Sequence, residues 1–228
     1  MATHITRALL LRRVAYGESD LVVTLLTESH GRVSALARGA RRSAKRFGGA
    51  LESMHTLRVR LEERPRAELM TLAESTLAQP RRRLTGELER MEVAGRALGW
   101  VRRAAPPRTP EPEVWRITSE LLERLDDPGD ARSPRLHLAE AGLRLLGALG
   151  WGLELERCVG CGRTCEPGRR AMLDPRRGGL VCRACGGARL LVGGARRARL
   201  AAPALEADDV ELALELVEQA LKVHGDIE

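Results

Sequence analysis

Four of the five cysteines fall into two pairs, Cys158-Val159-Gly160-Cys161 and Cys182-Arg183-Ala184-Cys185, with twenty residues between them. A two-residue gap lets both sulfurs of a pair face one ion, and Gly162 and Gly186, directly after each pair, relieve the tight turn this requires. The spacing predicts a structural Zn2+ site of the zinc-ribbon or treble-clef type, with Cys158, Cys161, Cys182 and Cys185 as ligands. All four ligands come from protein, so no position is left for a catalytic water. A redox pair would need a strand-to-helix junction in a βαβ setting, which the flanking sequence lacks. Cys165, four residues beyond Cys161, is expected to be a free cysteine rather than a ligand.

A second constellation is basic. Arg32, Arg38, Arg41, Arg42, Lys45 and Arg46 lie within fifteen residues that contain no acid. With Gly39, Ser43 and Gly48 among them, they predict a mobile loop that follows a phosphate backbone, and Arg12 is counted with them as a DNA contact. Single-strand binders stack bases on aromatic side chains, and only Tyr16 and Phe47 are on offer in this part of the chain. Backbone electrostatics should therefore dominate, with double-stranded DNA bound as well as single-stranded.

No catalytic constellation is recognisable. His4, His30, His55, His137 and His224 are scattered without metal-binding spacing, and no phosphate-binding glycine loop ending in Lys-Ser or Lys-Thr is present. Asp126 and Asp127 read as turn formers, as do Glu18 and Asp20. The chain is expected not to be an enzyme.

The elements that must position these groups change character along the 228 residues. Residues 5–12, 20–27, 32–38, 54–61 and 67–77 are short apolar or alternating runs punctuated by Gly17, Gly31 and Gly48-Gly49, which predicts five strands. Five strands in so short a span suit an OB-fold barrel, although a sandwich or an SH3-like barrel has a similar strand count. After Pro80 the apolar period becomes helical over 84–104, again from a start after Pro110 to Pro112 through Leu125, over 135–149 with Gly150 as its cap, and over 208–223. The expected fold class is α+β: an OB-fold DNA-binding domain at 1–79, an α-helical domain at 80–156 and 188–228, and a zinc module at 157–187 inserted into it.

Charge follows the same partition. Residues 1–83 carry a balance of +8, 84–156 of −3, 157–199 of +9 and 200–228 of −7. Two basic modules imply a polyanionic partner, and zinc bound by four thiolates would leave the third block at about +7. No apolar run approaches the length of a membrane span and residues 1–30 lack a signal-peptide layout, so a cytoplasmic, nucleoid-associated protein without a membrane partner is expected.

Leu11-Arg12-Arg13-Val14-Ala15-Tyr16-Gly17-Glu18-Ser19-Asp20, then Ala37-Arg38-Gly39-Ala40-Arg41, resembles the signature of the RecO family of recombination mediators. So does Leu145-Leu146-Gly147-Ala148-Leu149-Gly150-Trp151, followed by Leu155-Glu156-Arg157-Cys158-Val159-Gly160-Cys161-Gly162 and Gly178-Gly179-Leu180-Val181-Cys182. The resemblance implies an OB domain, a helical domain and a zinc module that only some members keep. It also implies strand annealing, association with RecR and with the C-terminal tail of single-strand-binding protein, and help in loading RecA onto coated single strands. Members usually finish in a basic, Ser-containing segment, whereas this sequence finishes acidic at Ile227-Glu228. The reading from another class is a zinc-ribbon adaptor in transcription or RNA processing. A nuclease is the weakest reading, because a carboxylate cluster to hold metal is missing.

Overall fold

The computed structural model describes residues 2–47, 51–65, 67–202 and 205–224. The expected Gly48-Gly49 turn lies outside them. Five strands, β1 (Ala2–Tyr16), β2 (Asp20–Thr27), β3 (Gly31–Ala37), β4 (Thr56–Glu63) and β5 (Met70–Gln79), close into a barrel in the order β1-β2-β3-β5-β4. A short helix α1 (Ala44–Phe47) lies between β3 and β4. Strand count and order are those of the OB fold.

Side-chain alternation explains the closure. In β3, Gly31, Val33, Ala35 and Ala37 are buried while the residues between them are half-exposed, so one face of the strand can only look inward. β1 serves two partners, pairing through Ala8–Tyr16 with β2 and through Ala2–Leu9 with β4. The register shift between Leu10 and Arg12 is a bulge that lets so long a strand bend around the barrel. The last seam is parallel, Ala35 and Leu36 of β3 against Met70 and Thr71 of β5. Leu10, Val23, Leu25, Val33, Leu57, Val59, Leu61 and Leu72 fill the interior. Phe47 joins them at 2% exposure.

Three helices follow: α2 (Arg82–Gly86), α3 (Leu88–Ala104) and α4 (Pro112–Asp126). The helical period expected over 84–104 is thus broken once, at Glu87. Asp126 is more than a turn former, since its carboxylate accepts from the backbone N–H groups of Arg83 and Leu84 and so satisfies the start of α2. Arg81 is fully buried, donating to the Met54 carbonyl and the Thr56 hydroxyl. The α3 helix packs on β1 and β2, which accounts for the burial of Leu9 and Leu26 outside the barrel interior. At Gly31, with φ +63°, a Cβ would sit 1.7 Å from the Thr109 carbonyl oxygen, so glycine is required by a neighbouring chain segment as well as by the turn.

These helices group with the barrel, because the chain divides into compact units at Met1–Asp130 and Ala131–Glu228. That division does not coincide with the helical domain expected at 80–156 and 188–228. Arg108 donates its N–H to the Arg32 carbonyl, and Arg90 donates to the Leu125 carbonyl, which binds the first helices to the strands and to each other.

In the second unit, α5 (Pro134–Ala148) packs against α7 (Val210–His224). Gly150 takes φ +78° and the Trp151 N–H returns to the Leu146 carbonyl, ending α5 as its sequence predicts. Between α5 and α7 the chain forms a small sheet in the order β6-β8-β7-β9, from β6 (Glu154–Cys158), β7 (Ala171–Asp174), β8 (Gly179–Leu180) and β9 (Leu190–Val192). Helix α6 (Gly194–Ala201) follows. Asp209, with no exposure, receives Arg199 at 2.6 Å and Arg196 at 3.0 Å; the Arg199 hydrogen bond holds its carboxyl below the ordinary carboxylate range. Among the described residues, no helix is long and apolar enough to cross a membrane.

Candidate nucleic-acid interface and metal centre

The basic segment after β3 is shaped by the turn between β1 and β2. Asp20 accepts from the Gly39 N–H at 2.8 Å, and that bond lowers its carboxyl pKa. Arg41 donates its backbone N–H to the Ser19 carbonyl at 3.0 Å and its guanidinium to the Glu18 carbonyl at 3.1 Å. Arg46 reaches the Arg38 carbonyl at 2.8 Å and lies 5.3 Å from the centre of the Phe47 ring. Residues 38–47 form a bonded turn followed by a helical turn, tied at one end to Asp20 and at the other to the buried Phe47. For the same reason Phe47 is withdrawn as a base-stacking platform, because its ring belongs to the barrel core.

Arg41 and Arg46 are exposed but engaged by these backbone carbonyls, which leaves a smaller set without such a bond. Arg38 and Lys45 are exposed, and among the described residues neither side chain donates a hydrogen bond. Arg42 is 72% exposed and touches only Glu18, at 3.5 Å, an ion pair too open to hold it. Arg12 is exposed on β1, two and four residues before Val14 and Tyr16 on the same face of the strand. Tyr16 is 60% exposed. Cross-strand registers carry that face onto Val22 and then Leu36. Arg32 is set apart from the others: half-buried, it donates to the Ala105 carbonyl at 2.7 Å, and burial, helped by Arg102, lowers its pKa.

The four predicted cysteines converge. One sulfur from each of Cys158, Cys161, Cys182 and Cys185 lies within 4.8 Å of the others, and the Cys161 and Cys182 sulfurs are 3.7 Å apart. Four sulfurs around a tetrahedral ion with metal–sulfur bonds of about 2.3 Å would be about 3.8 Å apart, so this set could hold a metal ion. Cys165 is not part of the group; its N–H goes to the Glu156 carbonyl.

Local backbone makes the approach possible. Gly162 and Gly186, at φ +71° and +96°, donate N–H groups to the Cys158 and Arg183 carbonyls. A Cβ on Gly160 would stand 3.1 Å from the Cys185 sulfur. Backbone N–H groups, that of Cys182 foremost, bring the Cys158 thiol down to about 6, whereas hydrogen bonding with Cys182 and the other sulfurs raises Cys185 to about 12. One thiolate is thus favoured and the last is resisted, a conflict that a divalent cation removes by compensating their charge.

Sequence reasoning did not find Arg197. At 5% exposure on α6, it donates to the carbonyls of Leu155, Cys165 and Glu166, binding α6 to the cysteine-bearing segment. Nothing in the basic run Arg196-Arg197-Ala198-Arg199 distinguishes this clamp from a solvated charge. The module consequently draws on β9 and α6, beyond its expected end at 187.

Two family models match, "Recombination protein O N terminal" over residues 1–81 and "Recombination protein O C terminal" over residues 85–224. A protein of Anaeromyxobacter sp. (strain Fw109-5) named DNA repair protein RecO is 40% identical over 177 residues, 78% of this chain and 68% of that one. Proteins with the same name from Geobacter sulfurreducens and Myxococcus xanthus are 37% and 34% identical, over 78% of this chain and 71% of each of theirs. With both halves matched in order, and relatives this similar over most of their length, the chain belongs to the RecO family.

Proposed function

We propose that the chain is a non-catalytic recombination mediator in DNA repair. It binds single- and double-stranded DNA on the β1–β2–β3 side of its barrel, anneals complementary strands and acts with RecR to help load RecA onto single strands coated by single-strand-binding protein. The observation that carries this reading is the exposed cationic rim of Arg12, Arg38, Arg42 and Lys45 beside Tyr16 on a closed OB-type barrel. The OB fold commonly uses the β2–β3 face and the loop between β1 and β2 for oligonucleotides. Tyr16, at that loop, offers the one exposed ring among the barrel's described residues for a base to stack on. Arg41 and Arg46 act by shaping the rim, and Arg32 by fixing β3.

In this reading Zn2+ occupies the cysteine group, since four thiolates in tetrahedral disposition select a soft-accepting d10 ion, and its part is to hold the module folded. Association with RecR and with the tail of single-strand-binding protein is part of this proposal and rests on the family resemblance; the relatives' names support the DNA-repair role.

Annealing of complementary labelled oligonucleotides separates this proposal from the adaptor reading. A mediator accelerates pairing and is pulled down by RecR and by the tail peptide. Annealing no faster than in buffer, with intact metal content, refutes the proposal and leaves a zinc-ribbon adaptor.

A further inference from the structure

Within the second unit, the cysteine-bearing segment encloses an open cleft of about 700 Å³. Arg163, Arg169, Arg170 and Arg183 line it, all four exposed, and among the described residues that line it Glu166 is the only acid. Among the described residues none of these arginines makes an ion pair or a side-chain hydrogen bond, in contrast to Arg177, Arg196, Arg197 and Arg199 close by in sequence, which are all bonded. Apolar atoms complete the walls: Met172 is half-buried and Leu191 is 58% exposed. A four-thiolate site holding a divalent ion carries two net negative charges, so the four guanidinium groups outweigh it and Glu166 together.

We infer that this cleft is a second nucleic-acid site, which takes a segment of single-stranded DNA with its phosphates on Arg163, Arg169, Arg170 and Arg183 and a base face against Met172 and Leu191. Unpaired cationic forks beside exposed apolar atoms match a strand that presents a regular row of phosphates and unstacked bases. A duplex has its base faces stacked inside and no use for the apolar wall. An acidic peptide shares the charge but not the regular phosphate spacing, and it is one outcome of the test. A chain with this site as well as the barrel rim can hold two strands at once, which is what annealing asks of it. The inference rests on the DNA-handling reading above and is independent of which barrel residues take part.

Cys165 lines the cleft, is half-exposed and stands outside the four-sulfur group, so in metal-loaded protein it reports occupancy through its rate of alkylation. A thymidine oligonucleotide should slow alkylation of Cys165, and the protection should fall with salt with a slope of about 3, the value for four single-strand phosphate contacts. Changing the four arginines together to Gln should abolish protection and slow annealing while one labelled strand still binds the barrel; changing them to Lys should keep protection. The Arg38→Gln, Arg42→Gln, Lys45→Gln variant should protect Cys165 as the parent does. Strand binding without protection of Cys165, or protection by an acidic peptide and not by DNA, overturns this site alone. Absence of any strand binding by the parent overturns the proposed function as well.

Discussion

Replacing Arg38, Arg42 and Lys45 together with Gln should remove three phosphate contacts and leave the barrel unchanged. The choice follows from the hydrogen bonds: Arg41 and Arg46 hold the carbonyls of Glu18 and Arg38, whereas Arg38 and Lys45 project to solvent and Arg42 meets only the edge of Glu18. Each contact to a single strand contributes about 0.7 to the slope of log K against log salt, so three contribute about 2.1. At ~0.1 M salt that corresponds to roughly 100-fold in affinity, and between ~0.05 and ~0.2 M to about a 20-fold change in the parent that the variant does not show. Fluorescence anisotropy of a labelled oligonucleotide across that salt range measures both. The Arg41→Gln, Arg46→Gln variant serves as the contrast, because it loosens the rim and should change the slope by less. An unchanged slope in the triple variant, or a larger change in the double one, refutes the division into contacting and shaping residues.

Three further outcomes follow from the same geometry. Gly31→Ala places a methyl group against the Thr109 carbonyl and forces a non-glycine residue to φ +63°, so thermal unfolding should show a loss on the order of 3 kcal/mol; a loss below about 1 kcal/mol would mean that the 107–109 segment yields freely. Chelation should speed amide hydrogen exchange across residues 154–192 and leave 2–47 protected; equal exchange in both would contradict an independent metal-held module. His55 accepts the Arg81 N–H at 3.0 Å, and burial lowers its pKa, as it does that of His30, whose ring centroid lies 4.3 Å from that of His4. The unfolded chain takes up these protons first, so stability is complete above about pH 6.5 and falls as pH drops through the folded values. His55→Asn should flatten part of that fall in the melting temperature, His30 keeping the rest, and an identical profile would remove His55 from the account.

The strands were legible because β3 alternates strictly and the other runs are short, apolar and bounded by turn residues, and the Cys pairs because a metal fixes ligand spacing more tightly than packing fixes apolar spacing. The small strands β6–β9 were not. They are two to five residues long and are organised by the glycine turns and the sulfur cluster rather than by an apolar face. Arginine was the least legible residue. A sequence count treats every guanidinium as available to phosphate, yet Arg32, Arg81, Arg90 and Arg197 donate to buried carbonyls or hydroxyls. A planar group with five donors can satisfy several stray acceptors at once, which makes it useful inside a protein poor in aromatic rings.

The double pairing of β1 has a consequence for the order of events during synthesis. Its Ala2–Thr6 part has no strand partner until residues 59–63 of β4 have left the ribosome, and the parallel seam waits for Met70. Until then a nascent chain displays a long strand edge open to pairing with a neighbour's, and the slow, non-local closing step decides how long that exposure lasts.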